Sequence, residues 1–271
     1  MLKQNLHTHS TFCDGKHTPR EMVEFALAKG FSSLGFSSHS CSRRPDRDKS
    51  IWLKKNEGYR KEVLRLKEAY RDRIEIFLGL EAELGIDIDL TPYEYLIGAV
   101  HLLDKDGDFF DVDSTCEVTE NAIEKHFGGS SLEYAKAYFS RMAQLPELGR
   151  VDIIAHFDLL TKFQEKKLVF DENDPRYLRA AVDAIDSLQG KIPFFEVNTG
   201  AISRGYRTSP YPAIPLLRAF KERGFGVVVT TDCHNGEFLD CHYRESVELL
   251  REVGFRERFI LTGDGFVPIK L

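Results

Sequence analysis

The stretch "IEIFLGLEAEL", residues 74–84, decides how this chain is read. It is an almost unbroken apolar run that ends on carboxylates. A strand covered on both faces has that composition, and such coverage is typical of parallel sheets. Similar runs recur on either side of it. The further predicted strands are "LKQNLH" (2–7), "SSLGFSSH" (32–39), "YLIGAVHLL" (95–103), "DIIAHF" (152–157), "PFFEVNT" (193–199), "GVVVTTD" (226–232) and "RFILTG" (258–263). Helical patterns lie between them, at 18–30, 51–72, 131–145, 175–189, 212–223 and 243–253. The first is fully punctuated, with Thr18 as N-cap, Pro19 opening the helix, Glu21 three residues after the cap and Gly30 as stop. "KDGD" (105–108) reads as a turn. Strand and helix alternate seven or eight times, an α/β rhythm that suits a parallel barrel or a doubly wound sheet. No linker rich in Pro, Gly or Ser interrupts it, so one domain over 1–271 is expected.

Composition narrows the function. A chain of 271 residues is ordinary for a single barrel, which typically takes ~250. Its 42% hydrophobic and 30% charged residues fit a soluble globular protein. The formal charge of -6 leaves no basic footprint for nucleic acid. No apolar stretch approaches the ~20 residues that span a bilayer, and the N-terminus lacks the pattern of a signal peptide. Cys13, Cys41, Cys116, Cys233 and Cys241 are odd in number and scattered, which argues against a disulfide framework. A cytoplasmic protein with no membrane or nucleic-acid partner is expected.

The polar residues are placed with a pattern. His7, His39, Glu81, His101, His156 and Asp232 lie at or near the C-terminal ends of six predicted strands. In a parallel barrel those ends open onto one face, where groups distant in sequence converge. Imidazole and carboxylate are the ligands that zinc, manganese and iron take. His7 and His9 are spaced i, i+2, which puts both rings on one side of an extended strand, and Asp232 and His234 repeat the spacing. The number of candidates suits two or three divalent ions bridged by a carboxylate better than one. His126 and His242 have no such placement and are expected at the surface. His17 is ambiguous, because the Thr18 cap beside it already gives that segment a structural reason.

Taken together, "NLHTHSTFCDG" (5–15), "GFSSLGFSSHS" (30–40), "GLEAEL", "GAVHLL", "DIIAHFDLL" and "TTDCH" (230–234) resemble the polymerase-and-histidinol-phosphatase (PHP) superfamily of metal phosphoesterases. The likeness runs from residue 5 to about 234 in family order. It is strongest to the stand-alone histidinol-phosphate phosphatases, through "YLIGAVHLL", "HFDLLTKF" and "FFEVNTGAISRGYRTSPYP". The resemblance implies a distorted (β/α)7 barrel with a trinuclear site at its C-terminal mouth. It implies that His7, His9, Glu81 and Asp232 hold one ion. Glu81 bridges to a second, shared with His101 and His156, and Asp14, His39 and His234 hold a third. Some members carry histidine where this chain has Asp14, and His17 is the rival for that place.

The implied chemistry is hydrolysis of a phosphate monoester by a metal-bridging hydroxide, with the ions neutralising the phosphoryl oxygens. Glu81, Asp232 and His234 are the expected catalytic groups, the last two as possible proton donors to the leaving alkoxide. Arg204, Arg207, Lys162, Asn198 and Arg43 (or Arg44) follow strand ends and are candidates for holding phosphate or substrate. Asp158 and Glu83 are candidates either for a substrate amine or for orienting ligand imidazoles. A cysteine nucleophile at Cys13 or Cys233 is disfavoured, since the neighbouring histidines are better used as ligands. The expected activity is histidinol-phosphate phosphatase, a phosphoric monoester hydrolase of histidine biosynthesis. The alternatives are a PHP phosphoesterase acting on nucleotides or other small phosphate esters, a polymerase-associated domain, and a metal-binding module without catalysis.

Overall fold

The computed structural model describes residues 2–41, 44 and 48–271, so the candidate Arg43 lies outside the described residues. In chain order the elements are β1 (Gln4–Asn5), α1 (Pro19–Ala28), β2 (Ser33–His39), α2 (Lys49–Ala69), β3 (Glu75–Glu83), β4 (Tyr95–Ala99), β5 (Leu102–Lys105) and β6 (Asp108–Asp111). Next come α3 (Cys116–Phe127), α4 (Ser131–Met142), β7 (Ile153–Ile154), α5 (Pro175–Leu188), β8 (Phe194–Asn198), α6 (Gly200–Ser203), α7 (Ile214–Glu222), β9 (Gly226–Thr230), α8 (Tyr243–Val253), β10 (Glu257–Thr262) and β11 (Gly265–Lys270).

Seven strands pair in the order β1-β2-β3-β4-β7-β8-β9, every pair parallel. The sheet curls until its outer strands meet. Beyond the end of β1, Thr8 bridges Cys233 in parallel register. His9 N donates to Cys233 O and Cys233 N to His7 O. Deeper down, the Asn5 side chain spans the seam where the backbones do not pair. Its Oδ1 accepts from Thr231 N and its Nδ2 donates to Thr231 Oγ1. The result is a nearly closed seven-stranded α/β barrel.

Side-chain alternation divides the core in two. Ile76, Leu78 and Leu80 of β3 face outward into the layer packed against the helices. Phe77 faces inward with Leu6, Tyr95, Ile97, Ile153 and Val228. Tyr95 crosses the barrel to donate to Phe36 O at 2.9 Å. It needs glycine at 35 and 79, because a Cβ at either would collide with its ring. Glu81 and Glu83 continue the inward face that Phe77 begins, so β3 delivers two carboxylates to the C-terminal end of the interior.

The α1 cap forms as its sequence predicts, with Glu21 N donating to Thr18 Oγ1 and Thr18 N to Glu21 Oε2. Two strand expectations need correction. The run 95–103 is not one strand, since it leaves the barrel after Ala99 and becomes β5, which pairs antiparallel with β6. Asp106 and Gly107 both take positive φ in the connecting turn, the geometry a tight hairpin demands. The run 258–263 does not join the barrel either. It is β10, paired antiparallel with β11, and Leu261, Phe259 and Phe266 pack the hairpin onto the interior cluster and Phe194. The helix α3 carries no prediction. His126, expected at the surface, has a side chain only 7% exposed. It stacks on Phe110 at 5.5 Å, between Asp106 and Asp108 of the hairpin.

Candidate metal centre

Each strand end delivers its residue to one place. His7 and His9 follow β1, and His39 closes β2 directly opposite Glu81 in register. His101 follows β4, His156 follows β7, and Asp232 and His234 follow β9. Glu81 stands in the middle, 1% exposed. Its Oε2 lies 3.3 Å from His7 Nε2, 3.5 Å from His9 Nε2 and 2.8 Å from His39 Nδ1. Its Oε1 lies 3.2 Å from His101 Nε2 and 3.0 Å from His156 Nε2. Asp232 Oδ1 is 3.2 Å from His9 Nε2 and 3.7 Å from His7 Nε2. Asp14 approaches His234 Nε2 at 3.2 Å and His39 Nε2 at 3.5 Å. His17 stands apart, its Nδ1 accepting from Gly236 N and its ring against Phe25.

The ligand-type atoms form overlapping groups that could each hold a metal ion: His9, Asp14, His39 and His234; His7, His156 and Asp232; His7, His9 and Glu81; and His39, Glu81 and His101. His7 Nε2, His9 Nε2 and Glu81 Oε2 are buried without a hydrogen-bond partner. Polar atoms left so in a protein interior are costly. Three of them facing each other, with nitrogen and oxygen donors at hand, are what a bound divalent cation would satisfy.

The electrostatics agree. Burial opposes charge on His7, yet the carboxylates of Glu196, Glu81 and Asp232 outweigh it and raise its pKa well above the ordinary value. His39 is raised likewise, against burial, by Glu81 and Asp14. Against burial, Glu81 and Glu83 raise His101 to about 10. Burial also opposes charge on Glu81, but His39, His7 and His101 hold its carboxyl well below the usual range. The potential inside the cluster therefore favours positive charge. Burial pushes the Cys233 thiol up to about 12, which leaves it a poor nucleophile.

A second layer fixes the rings. Glu196, inward on β8, lies 3.0 Å from His7 Nδ1 and accepts from His156 N, Asn198 Nδ2 and Thr230 Oγ1. A proton on His7 Nδ1 turns the Nε2 lone pair toward the cluster. Glu196 escaped the sequence reading, although a carboxylate inside the apolar run "PFFEVNT" was its signal. Glu83 does the same for His101, accepting from its backbone N at 2.8 Å and lying 2.9 Å from its Nδ1. Asp232 adopts φ 44°, a left-handed conformation that is uncommon for non-glycine residues and is shared here by Asp106 in the hairpin turn and by His242. Gly200 makes room for it, as a Cβ there would lie 2.7 Å from the Asp232 carboxylate.

The remaining candidates scatter. Arg204 reaches the cluster, with Nη2 donating to Asp232 Oδ2 at 2.9 Å and Nη1 lying 3.1 Å from His234 Nδ1. Lys162 donates to Asp113 Oδ2 at 3.0 Å and to Asp113 O at 2.7 Å. Arg207 donates to Thr161 and Ser209 and lines a different cavity. Asn198 is fully buried and bonded to Glu196 and Gly200. Asp158 is buried, accepting from Ala213 N at 2.9 Å. Arg44 pairs with Asp111 at 3.0 Å. A cavity of about 650 Å³ opens over the cluster, walled by Phe12, Trp52, Asp111 and Asp113 as well as His39, Glu81 and His101. Trp52 ties α2 to this wall by donating from Nε1 to His39 O at 2.8 Å. No helix among the described residues is long and apolar enough to cross a membrane.

Comparison with known proteins gives the family and the fold. The family model described as "PHP domain" matches residues 5–200. The chain is 29% identical over 263 residues to a Deinococcus radiodurans protein named "Probable histidinol-phosphatase", covering 92% of this chain and 93% of that one. It is 26% identical over 279 residues to the histidinol-phosphatase of Lactococcus lactis, covering 97% and 96%. The crystal structure of histidinol phosphate phosphatase from Lactococcus lactis, complexed with zinc, L-histidinol and phosphate, superposes with a TM-score of 0.70 at 22% identity over 98% of each chain. At that identity the likeness is one of fold.

Proposed function

The chain belongs to the PHP domain family, and from that premise we propose that it is a metal-dependent phosphomonoesterase whose substrate is histidinol phosphate. The observation that carries the reading is Glu81, one buried carboxylate with three imidazoles around one oxygen and two around the other. Relatives named histidinol-phosphatase along nearly the whole chain support the substrate. His7, His9, Glu81 and Asp232 would hold one ion, Glu81, His101 and His156 a second, and Asp14, His39 and His234 a third. Zinc, manganese and iron all suit this nitrogen and oxygen set. When bound, such ions acidify a water to a nucleophile and offset charge on the phosphoryl oxygens.

The protein's own groups do the rest. Arg204 already rests against Asp232 and His234, so a phosphate arriving over the cluster meets a guanidinium held in place. The departing alkoxide needs a proton, which would come from water with Asp232 or His234 as the relay, because against burial the Arg204 guanidinium and the His7 ring hold the Asp232 carboxyl well below its usual range, and burial lowers His234. A substrate amine would meet Asp111 and Asp113 on the cavity wall, carboxylates that here pair with Arg44 and Lys162; Glu83 lines the same cavity but is buried against His101, and Asp158 is not part of that wall. Phe12 and Trp52 offer flat faces to an imidazole ring.

The test is metal analysis of the purified chain together with turnover of histidinol phosphate against a panel of nucleotide monophosphates. Two or more equivalents of metal and clear preference for histidinol phosphate are expected. Equal or better turnover of the nucleotides would move the substrate to that class, and a metal-free chain with full activity would overturn the mechanism. Replacing Arg204 by Ala should mainly raise KM, because phosphate binding is shared by ground and transition states. An unchanged KM would put the phosphate anchor elsewhere.

A further inference from the structure

A second cavity, of about 550 Å³, lies between the 207–216 segment, α5 and α8, and shares no lining residue with the one over the metal centre. Its volume is in the range of small-molecule sites, ~300–1,000 Å³. One cation, Arg207, and two carboxylates, Glu172 and Glu245, line it with His242; Glu245 and His242 are exposed at its rim, and the two less exposed charges are Arg207 and Glu172. Arg207 is only 7% exposed, yet it has no carboxylate within ion-pair distance among the described residues. Its guanidinium donates to Thr161 and Ser209 and lies over the Tyr211 ring, while its Nε has no partner. Glu172, half-buried on the same lining, has no hydrogen-bond or ion-pair partner among the described residues. Burial, with Asp158 nearby, raises its carboxyl in spite of Arg207.

Unpaired charges in a partly dry cavity are costly unless something compensates them. Arg207 and Glu172 form no contact ion pair, and Asp158 and Glu165 act on Arg207 only from beyond ion-pair distance. Two hydroxyls add to the account. Tyr177 and Ser246, each 2% exposed, belong to the same lining, and their hydroxyl oxygens are buried behind its surface without hydrogen-bond partners. Leu178, Pro210, Pro212 and Leu249 give the wall an apolar stretch, beside the polar Asn173 and Thr208. A buried cation, a half-buried anion that it does not pair with and an apolar stretch of wall describe a small zwitterion with a hydrocarbon side chain. We propose that this cavity binds a free α-amino acid with an apolar or aromatic side chain, its carboxylate toward Arg207 and its ammonium toward Glu172. The site is separate from the metal centre, so the proposal stands whatever phosphate ester is hydrolysed there.

The experiment is calorimetric titration of the full chain with three probes. L-Phenylalanine carries both charges, N-acetyl-L-phenylalanine lacks the cation, and L-phenylalaninamide lacks the anion. The parent should bind, and loss of either charge should weaken binding at least about tenfold, equivalent to ~1.4 kcal/mol. In Glu172→Gln the gap between parent and N-acetyl probe should shrink, while the gap to the amide persists. Ser246→Leu should close the cavity and abolish binding with phosphatase turnover intact. If that variant fails to fold, the Glu172→Gln comparison still decides. The proposal is overturned if L-phenylalanine shows no binding at concentrations up to about 10 mM. It is equally overturned if the three probes bind alike, or if binding survives Ser246→Leu and is lost in His101→Ala, which would place it at the metal centre.

Discussion

The two ends of this barrel treat buried polar groups in opposite ways. At the floor, Gln4 is 3% exposed and fully used: Nε2 donates to Ser33 Oγ and Leu261 O, and Oε1 accepts from Leu261 N, each at 2.7 Å. The buried Arg258 donates to Leu2 O and lies over the Tyr243 ring. At the mouth, His7 Nε2, His9 Nε2 and Glu81 Oε2 are as deeply buried and make no hydrogen bond, although ligand-type atoms crowd within 2.8–3.7 Å of them. Both ends are polar, and only the satisfaction of the atoms distinguishes a structural brace from a candidate metal site. Burial of polar side chains alone would have pointed to both.

The widest separation should come from Glu81→Ala. It should lower turnover by at least about 100-fold, the cost of losing one preorganised electrostatic group. Bound metal should fall and the circular dichroism should stay native. Full activity in this variant would erase the contrast. Leu261→Ala probes the floor. It removes a buried plug and should cost about 2–5 kcal/mol in denaturant unfolding, with metal content and kcat unchanged in the folded protein. A drop in metal content would mean that the floor supports the site directly.

Glu196→Gln lies between these extremes. It keeps the shape but weakens the hold on His7 Nδ1, and metal affinity should fall about 10–100-fold, read by competition with a chelator. The smallest effect concerns the metal-free protein. His101 is raised from 6.5 to about 10, so its protonation contributes stability fully below 6.5, lost as pH rises through about 10. The metal-free chain should therefore lose stability across that window. The metal-loaded chain, whose His101 would carry an ion instead of a proton, should lose less. Parallel melting curves of the two forms would contradict the shared role of proton and metal.

Much of this was legible in the linear chain, and particular residues show why. The apolar runs of β3, β8 and β9 declare strands covered on both faces. Thr18 and Glu21 declare a helix start because a capping box is local. β5 and β10 misled for the same reason that β3 did not. "AVHLL" and "RFILT" have the composition of core strands, but whether a run joins the barrel or folds back on a neighbour depends on its partner. Glu196 went unread because one acid within an apolar strand gains a meaning only when His7, 189 residues away, is beside it.

The sequence by itself determined the alternation of elements, the kinds of ligand at the strand ends and the pairwise spacings of His7 with His9 and Asp232 with His234. Those follow from periodicity and from side-chain chemistry, which act over a few residues. Tertiary structure alone decided that Asp14 joins the cluster while His17 braces Gly236, that Lys162 is taken by Asp113, and that Arg204 reaches the cluster while Arg207 faces another cavity. Each of these turns on a distance of a few ångströms between groups far apart in the chain, and only closing the barrel sets such distances.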